Sequence, residues 1–129
     1  MKLIAKRKKA AELVAYMKQN DPIWKPGSDQ HHMKRRKRKG HLPDDFTLDN
    51  YNSLIRKLCT SDEHEAYVYH MQGFEQDYYV FGDGVYWIAI IGENGVMETA
   101  FPPDSYSDYL ALEDGYQLLG TIKEVLRYV

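Results

Sequence analysis

The 129-residue chain is of single-domain size, and its 43% of apolar residues supports a packed core, which excludes general disorder. No apolar run approaches the roughly 18 residues of a membrane span, and the positive charges between Met1 and Lys9 precede no long apolar stretch, so neither a membrane association nor a secretory signal is read. The net charge of −2 conceals a separation, with residues 1–41 carrying +10 and residues 42–129 carrying −12, which predicts either a front surface for a polyanion or a front half that neutralises the back half on folding.

Cys59 is the sole cysteine, so an intrachain disulfide is excluded and a reducing compartment is the expectation. That compartment would be the cytoplasm, the protein's own or that of a target cell into which it is delivered.

In chain order, Lys6 to Gln19 reads as a helix, because Ala10, Leu13, Val14 and Met17 recur at three- and four-residue spacing. Asn20-Asp21-Pro22 stops it. Residues 22–45 read as irregular, with Pro22, Pro26, Gly27, Gly40 and Pro43. Inside them lies His31-His32-Met33-Lys34-Arg35-Arg36-Lys37-Arg38-Lys39-Gly40-His41. A short helix over 29–38 is compatible with this run, but its unbroken like charges oppose one unless an anion sits nearby, and the segment is read as a loop. Residues 1–46 thus form a basic helical and loop segment of the one domain, 1–129.

Thr47 is placed to cap a second helix, Leu48 to Leu58, whose buried face would be Tyr51, Leu54, Ile55 and Leu58. From residue 65 the apolar period changes to two. Strands are expected at 66–71, 77–81, 85–91 and 96–101, joined by turns at Gly82-Asp83-Gly84 and Glu93-Asn94-Gly95. After Pro102-Pro103, Ser105 to Leu112 and Tyr116 to Tyr128 look helical, with Leu118, Leu119, Ile122, Val125 and Leu126 covering a sheet face. The expected fold class is α+β: N-terminal helices packed on a four-stranded antiparallel β-meander, with a C-terminal helix.

The sequence has no GxxxxGK(S/T) or GxGxxG loop, no CxxC and no HExxH. His31, His32 and His41 do not read as a metal site, because adjacent histidines diverge on any regular element and six flanking cations repel another. No metal or other cofactor is therefore expected. Buried packing is the expectation for Cys59, beside apolar residues of a helix.

The 31–41 run carries the chemistry. Lys34, Arg35, Arg36, Lys37, Arg38 and Lys39 can bind phosphates, and His31, His32 or His41 can move a proton near neutral pH. RNA cleavage needs only such groups, because the nucleophile, the 2′-hydroxyl, belongs to the substrate. The same run also reads as a passive polyanion-binding patch or a solvated face. The 11 tyrosines read mainly as cross-strand packing, with a few left to stack on bases.

The end of the meander, Asn94-Gly95-Val96-Met97-Glu98-Thr99-Ala100-Phe101-Pro102, follows a basic histidine segment and a helix. In that order it resembles the C-terminal nuclease domains of bacterial contact-dependent and polymorphic toxins, the barnase–EndoU–colicin E5/D–RelE-like group. The resemblance spans about residues 31–110. It implies metal-independent cleavage of RNA, often tRNA, on a small twisted antiparallel sheet. It implies that Thr99 contacts the scissile phosphate and that His31 or His32 is the acid or base, paired with Arg35 or Arg36. Lys34 and Arg35 would hold the phosphate, with the rest of the run through His41 binding RNA. The implied partners are an RNA substrate and a cognate acidic inhibitor, either an immunity protein or an antitoxin. Two alternatives stand beside it: a non-catalytic nucleic-acid-binding module, and an immunity- or antitoxin-like protein that captures a basic partner with its acidic back half.

Overall fold

A computed structural model describes residues 2–70, 73 and 75–128. The chain is α+β, with helices α1 (Lys2–Gln19), α2 (Ser28–Arg38) and α3 (Leu48–Thr60) ahead of four strands, β1 (Glu65–Tyr69), β2 (Tyr78–Gly82), β3 (Ile88–Gly92) and β4 (Met97–Phe101). A short helix α4 (Tyr106–Tyr109), a 3-10 turn (Leu112–Asp114), a fifth strand β5 (Tyr116–Thr121), a one-turn helix α5 (Ile122–Val125) and a closing 3-10 turn (Leu126–Tyr128) complete it. The sheet is antiparallel throughout, in the order β4-β3-β2-β1-β5. No described helix is long and apolar enough to cross a membrane.

Three expectations need correction. The sheet has five strands rather than four, because the last segment does not form one helix: Tyr116 to Thr121 pairs with β1. The spacing of Leu118, Leu119, Ile122 and Val125 fits a helix, but the backbone of β1 offers a free edge, and tertiary pairing overrides the local period. The helix begins only at Ile122, where Thr121 and Glu124 form a reciprocal cap. Ser105 to Leu112 is likewise helical only over Tyr106–Tyr109. The third correction is that 28–38 is a helix rather than a loop. The expected strand end at residue 71 lies outside the described residues.

One sheet face carries the main core. Ala66, Val68, Tyr79, Phe81, Ile91 and Met97 pack against the expected stripe of α1 and against Tyr51, Ile55, Leu58 and Cys59 of α3. Thr47 and Asn50 cap α3 reciprocally, each side chain accepting from the other's backbone N–H (3.1 and 3.0 Å). Arg56 of α3 donates to the last carbonyls of α1, Met17 O and Lys18 O, and pairs with Asp21. The opposite face carries a smaller cluster around Val80, Ile88 and Leu110, partly roofed by α4 with Tyr106 and Tyr109.

Tyr106 crosses β2 over Gly82 and donates to Glu65 Oε1 (2.9 Å), leaving no room for a Cβ on that glycine. Gly82→Ala is therefore expected to displace the Tyr106 ring and destabilise the fold by about 1–3 kcal/mol, read as a lower midpoint in urea unfolding with unchanged slope.

Why α2 is helical despite its charge follows from where the charges go. Arg35 to Arg38 occupy its last turn, where cations complement the helix dipole, and Asp29 sits in its first. Met33 is anchored against the main core. Gly40, at φ +77°, ends the helix: Gly40 N–H donates to Lys37 O and His41 N–H to Arg36 O, the paired bonds of a glycine C-cap. That stop turns His41 back toward Arg36.

Candidate active site

α2 lies along the β4 edge of the sheet. The stretch before it is tied to that edge by a short parallel bridge between Ile23 and Val96 and by Met97 N–H donating to Ile23 O (2.7 Å). His32 and Arg36 are one helical turn apart, as are Arg35 and Lys39, and all four line one depression with Glu98, Thr99 and Phe101.

A β-bulge supplies the other wall. Ile91 faces Met97, but Ile90 faces Thr99, so Glu98 is the extra residue of β4. The bulge reverses the alternation after Met97, which is buried, and turns Glu98 and Thr99 together toward the face away from the main core.

Thr99 Oγ1 lies 3.1 Å from His32 Nδ1. The imidazole is flanked by the Trp24 ring at 5.6 Å, and Trp24 is itself fixed by Nε1–H donating to Asn52 Oδ1 (3.0 Å). Burial, then the positive neighbourhood of His31, Arg36 and Arg35, holds the His32 imidazole below its ordinary 6.5, with Glu98 opposing. This environment favours the neutral imidazole, the form able to accept a proton.

Arg36 is only 5% exposed. Its guanidinium lies over the Phe101 ring, 5.4 Å from the centroid, and Nη1 donates to His41 Nδ1 (3.3 Å). Because arginine only donates, that bond fixes His41 as the neutral Nε2–H tautomer; burial and Arg36 also lower its pKa. Arg36 Nε is buried with no hydrogen-bond partner, and among the described residues no carboxylate pairs with any cation of α2. The ion pairs that do form, such as Lys6 with Asp77, lie elsewhere. The front half's charge is thus not consumed internally at this helix, and Arg36 is a buried cation whose counter-ion is not a described side chain.

The structure brings together His32, Arg35, Arg36, Lys39 and Thr99 of the residues singled out in the sequence. His41 joins through Arg36 and lines the adjoining depression beyond Phe101. His31 is exposed and meets His32 edge-on at 5.6 Å. It lies outside the lining, as do the exposed Lys34 and Arg38 and the half-buried Lys37. Cys59, on the core-facing side of α3, is fully buried, and burial pushes its thiol up. Sequence reasoning missed Glu98, Phe101 and Trp24. The bulge leaves no mark in the sequence, and the two aromatics were indistinguishable there from ordinary core residues.

The cleft therefore combines an imidazole held on a hydroxyl, a buried guanidinium with no carboxylate partner among the described residues and two exposed cations. Such a set can hold a phosphate and take a proton from a group beside it. Among the described residues no three His, Cys, Asp or Glu side chains are grouped to hold a metal ion. Comparison with protein-family models, with curated proteins and with solved structures gives no match.

Proposed function

We propose that the protein is an endoribonuclease of the bacterial toxin kind, related to the barnase–EndoU–colicin E5/D–RelE-like group, that cleaves RNA without a metal. The observation that supports this reading is the contact of His32 with Thr99 beside Arg36, a buried cation with no carboxylate partner among the described residues and with Nε left without a hydrogen bond.

In this mechanism Arg36, assisted by Arg35 and Lys39, holds the scissile phosphate. His32 Nδ1–H donates to Thr99 Oγ1, which leaves the Nε2 lone pair free and the threonine proton available to a phosphate oxygen. Nε2 takes the 2′-hydroxyl proton as the 2′ oxygen bonds to phosphorus. The bond from phosphorus to the 5′ oxygen breaks, that oxygen takes a proton from water in the open cleft, and the hydroxide left takes the proton that the His32 imidazolium gives up. The products are a 2′,3′-cyclic phosphate and a 5′-hydroxyl. Glu98 stabilises the imidazolium formed, and the arginines stabilise the crowded phosphorane. The setting is the cytoplasm, its own or a target cell's, and a cognate inhibitor would present acidic side chains to the cations of α2.

The exposed cations Lys34, Arg35 and Arg38 of α2 and Lys39 at its C-cap also suit a binding module that transfers no atom. Incubation of purified protein with total RNA in EDTA separates the two readings. Cleavage to ends bearing a cyclic phosphate is expected. Intact RNA, bound with an affinity that falls steeply with salt, would leave only the binding module.

A further inference from the structure

The open sheet face holds a second pocket, of about 230 Å³, immediately beside the candidate cleft. Val80 and Ile90 form its apolar floor, Tyr69 and Tyr109 contribute to its walls, and Glu98 and Thr99 belong to both it and the cleft. The aromatic side is a continuous chain of ring contacts. Tyr69 and Tyr116 lie 4.5 Å apart and nearly parallel, Tyr116 meets Tyr109 at 5.7 Å, and Tyr109 meets Phe101 edge-on at 5.4 Å. Phe101 in turn carries Arg36.

The two sides of Thr99 differ in charge. On the α2 side are Arg35, Arg36 and Lys39; among the described residues the other pocket is lined by no cation and by one carboxylate, Glu98. A group that is anionic at one end and planar and apolar at the other fits this polarity in only one orientation. We infer that the tyrosine-lined pocket is a nucleobase site, which seats the base of the nucleotide whose phosphate lies against Arg36 and selects bases that carry an exocyclic amino group. This deepens the proposed ribonuclease reading and rests on it for the phosphate's position.

Selection follows from donor and acceptor chemistry. A carboxylate only accepts hydrogen bonds. Adenine, cytosine and guanine present amino N–H groups to Glu98, whereas uracil presents carbonyl oxygens on either side of a single N–H, and these repel the carboxylate. The flat floor and ring-lined walls supply stacking and apolar contact common to all four bases.

Calorimetric binding to the full chain tests this without relying on turnover. The probes are the 3′-monophosphates of adenosine, cytidine, guanosine and uridine, with inorganic phosphate as reference. The three amino-bearing nucleotides are expected to bind roughly tenfold or more tightly than phosphate, and uridine 3′-monophosphate less tightly than each of them. Ile90→Trp, which fills the pocket, is expected to remove the base contribution and keep phosphate affinity, a result that also reports correct folding. Glu98→Gln is expected to erase the discrimination against uridine. Nucleotides binding no tighter than phosphate would overturn the pocket, and equal binding of uridine would overturn the selection. If cleavage in EDTA persisted in either case, the nuclease reading would stand alone. Base-dependent binding without cleavage would leave the pocket standing and remove the nuclease. Should Ile90→Trp fail to fold, the wild-type series still decides.

Discussion

His32→Ala is expected to lower RNA cleavage by about 10²- to 10⁴-fold, the usual worth of a general base, while His31→Ala stays within a few-fold of wild type. The two histidines are adjacent, but only His32 reaches Thr99; His31 is exposed and touches the site through the edge of the His32 ring. Thr99→Val keeps the shape and removes the acceptor for Nδ1–H, so a smaller loss is expected, from imidazoles left in the wrong tautomer. The pH profile gives a second readout. Because the imidazole is held below 6.5, the active neutral form fills on the acid side of that value, and the rate should rise with pH below 6.5 and be level at neutrality. The same depression makes the unfolded chain bind the proton more readily, so His32 stabilises the fold above pH 6.5 and that contribution is lost as pH falls through the lower folded value. Loss of rate in acid must therefore be measured beside circular dichroism, with unfolding at the same pH excluded. Equal inactivity of His31→Ala, or an acid limb centred above 6.5, would remove His32 from the role of base.

Much of the scaffold that presents His32 is written in local chemistry. The α1 stripe, the Thr47 cap and the presence of β2 and β3 follow from side-chain spacing and composition, although β3 starts at Ile88, three residues later than expected, and both strands are buried nearly throughout rather than at alternate residues. The parts that are not legible depend on distant partners. Whether Tyr116 to Thr121 becomes strand or helix is decided by the free edge of β1, fifty residues earlier, and no window around Leu118 contains that information. The helicity of the basic run is decided by Met33 finding the core and by Gly40 closing the C-terminus, against a local charge density that argues for a loop. Once the helix forms, its period puts His32 and Arg36 on one side and leaves His31 outside, a choice the run itself does not make. Glu98 illustrates the remaining gap. Its place on the cleft wall exists because β4 has one residue more than β3 over the same span, a property of register rather than composition.

At the same site a substitution is expected to act on stability in the opposite sense. Arg36→Met should make the protein more stable and inactive. Arg36 is 5% exposed, has no carboxylate partner among the described residues and leaves Nε without a hydrogen bond. Burying a charge costs several kcal/mol even after relaxation. The Phe101 ring and the bond to His41 offset part of this, by about 2 kcal/mol or more for a desolvated cation–π contact and about 1 kcal/mol for the hydrogen bond. Methionine keeps the length and flexibility of the chain, packs on the same Phe101 ring and removes the charge. His41 is only partly buried, so water can replace the lost donor. A gain of about 1–3 kcal/mol is expected, or a rise in Tm of roughly 3–10 °C for a domain of this size. Phosphate should raise the Tm of wild type in proportion to the logarithm of its concentration above Kd, and it should do so far less in Arg36→Met, whose cleavage of RNA should fall below detection. Greater stability with loss of both anion response and activity is the signature of a charge kept for its ligand. A variant that melts lower than wild type and still responds to phosphate would instead make Arg36 a structural pillar, and the phosphate would have to be held by the exposed cations Arg35 and Lys39 alone.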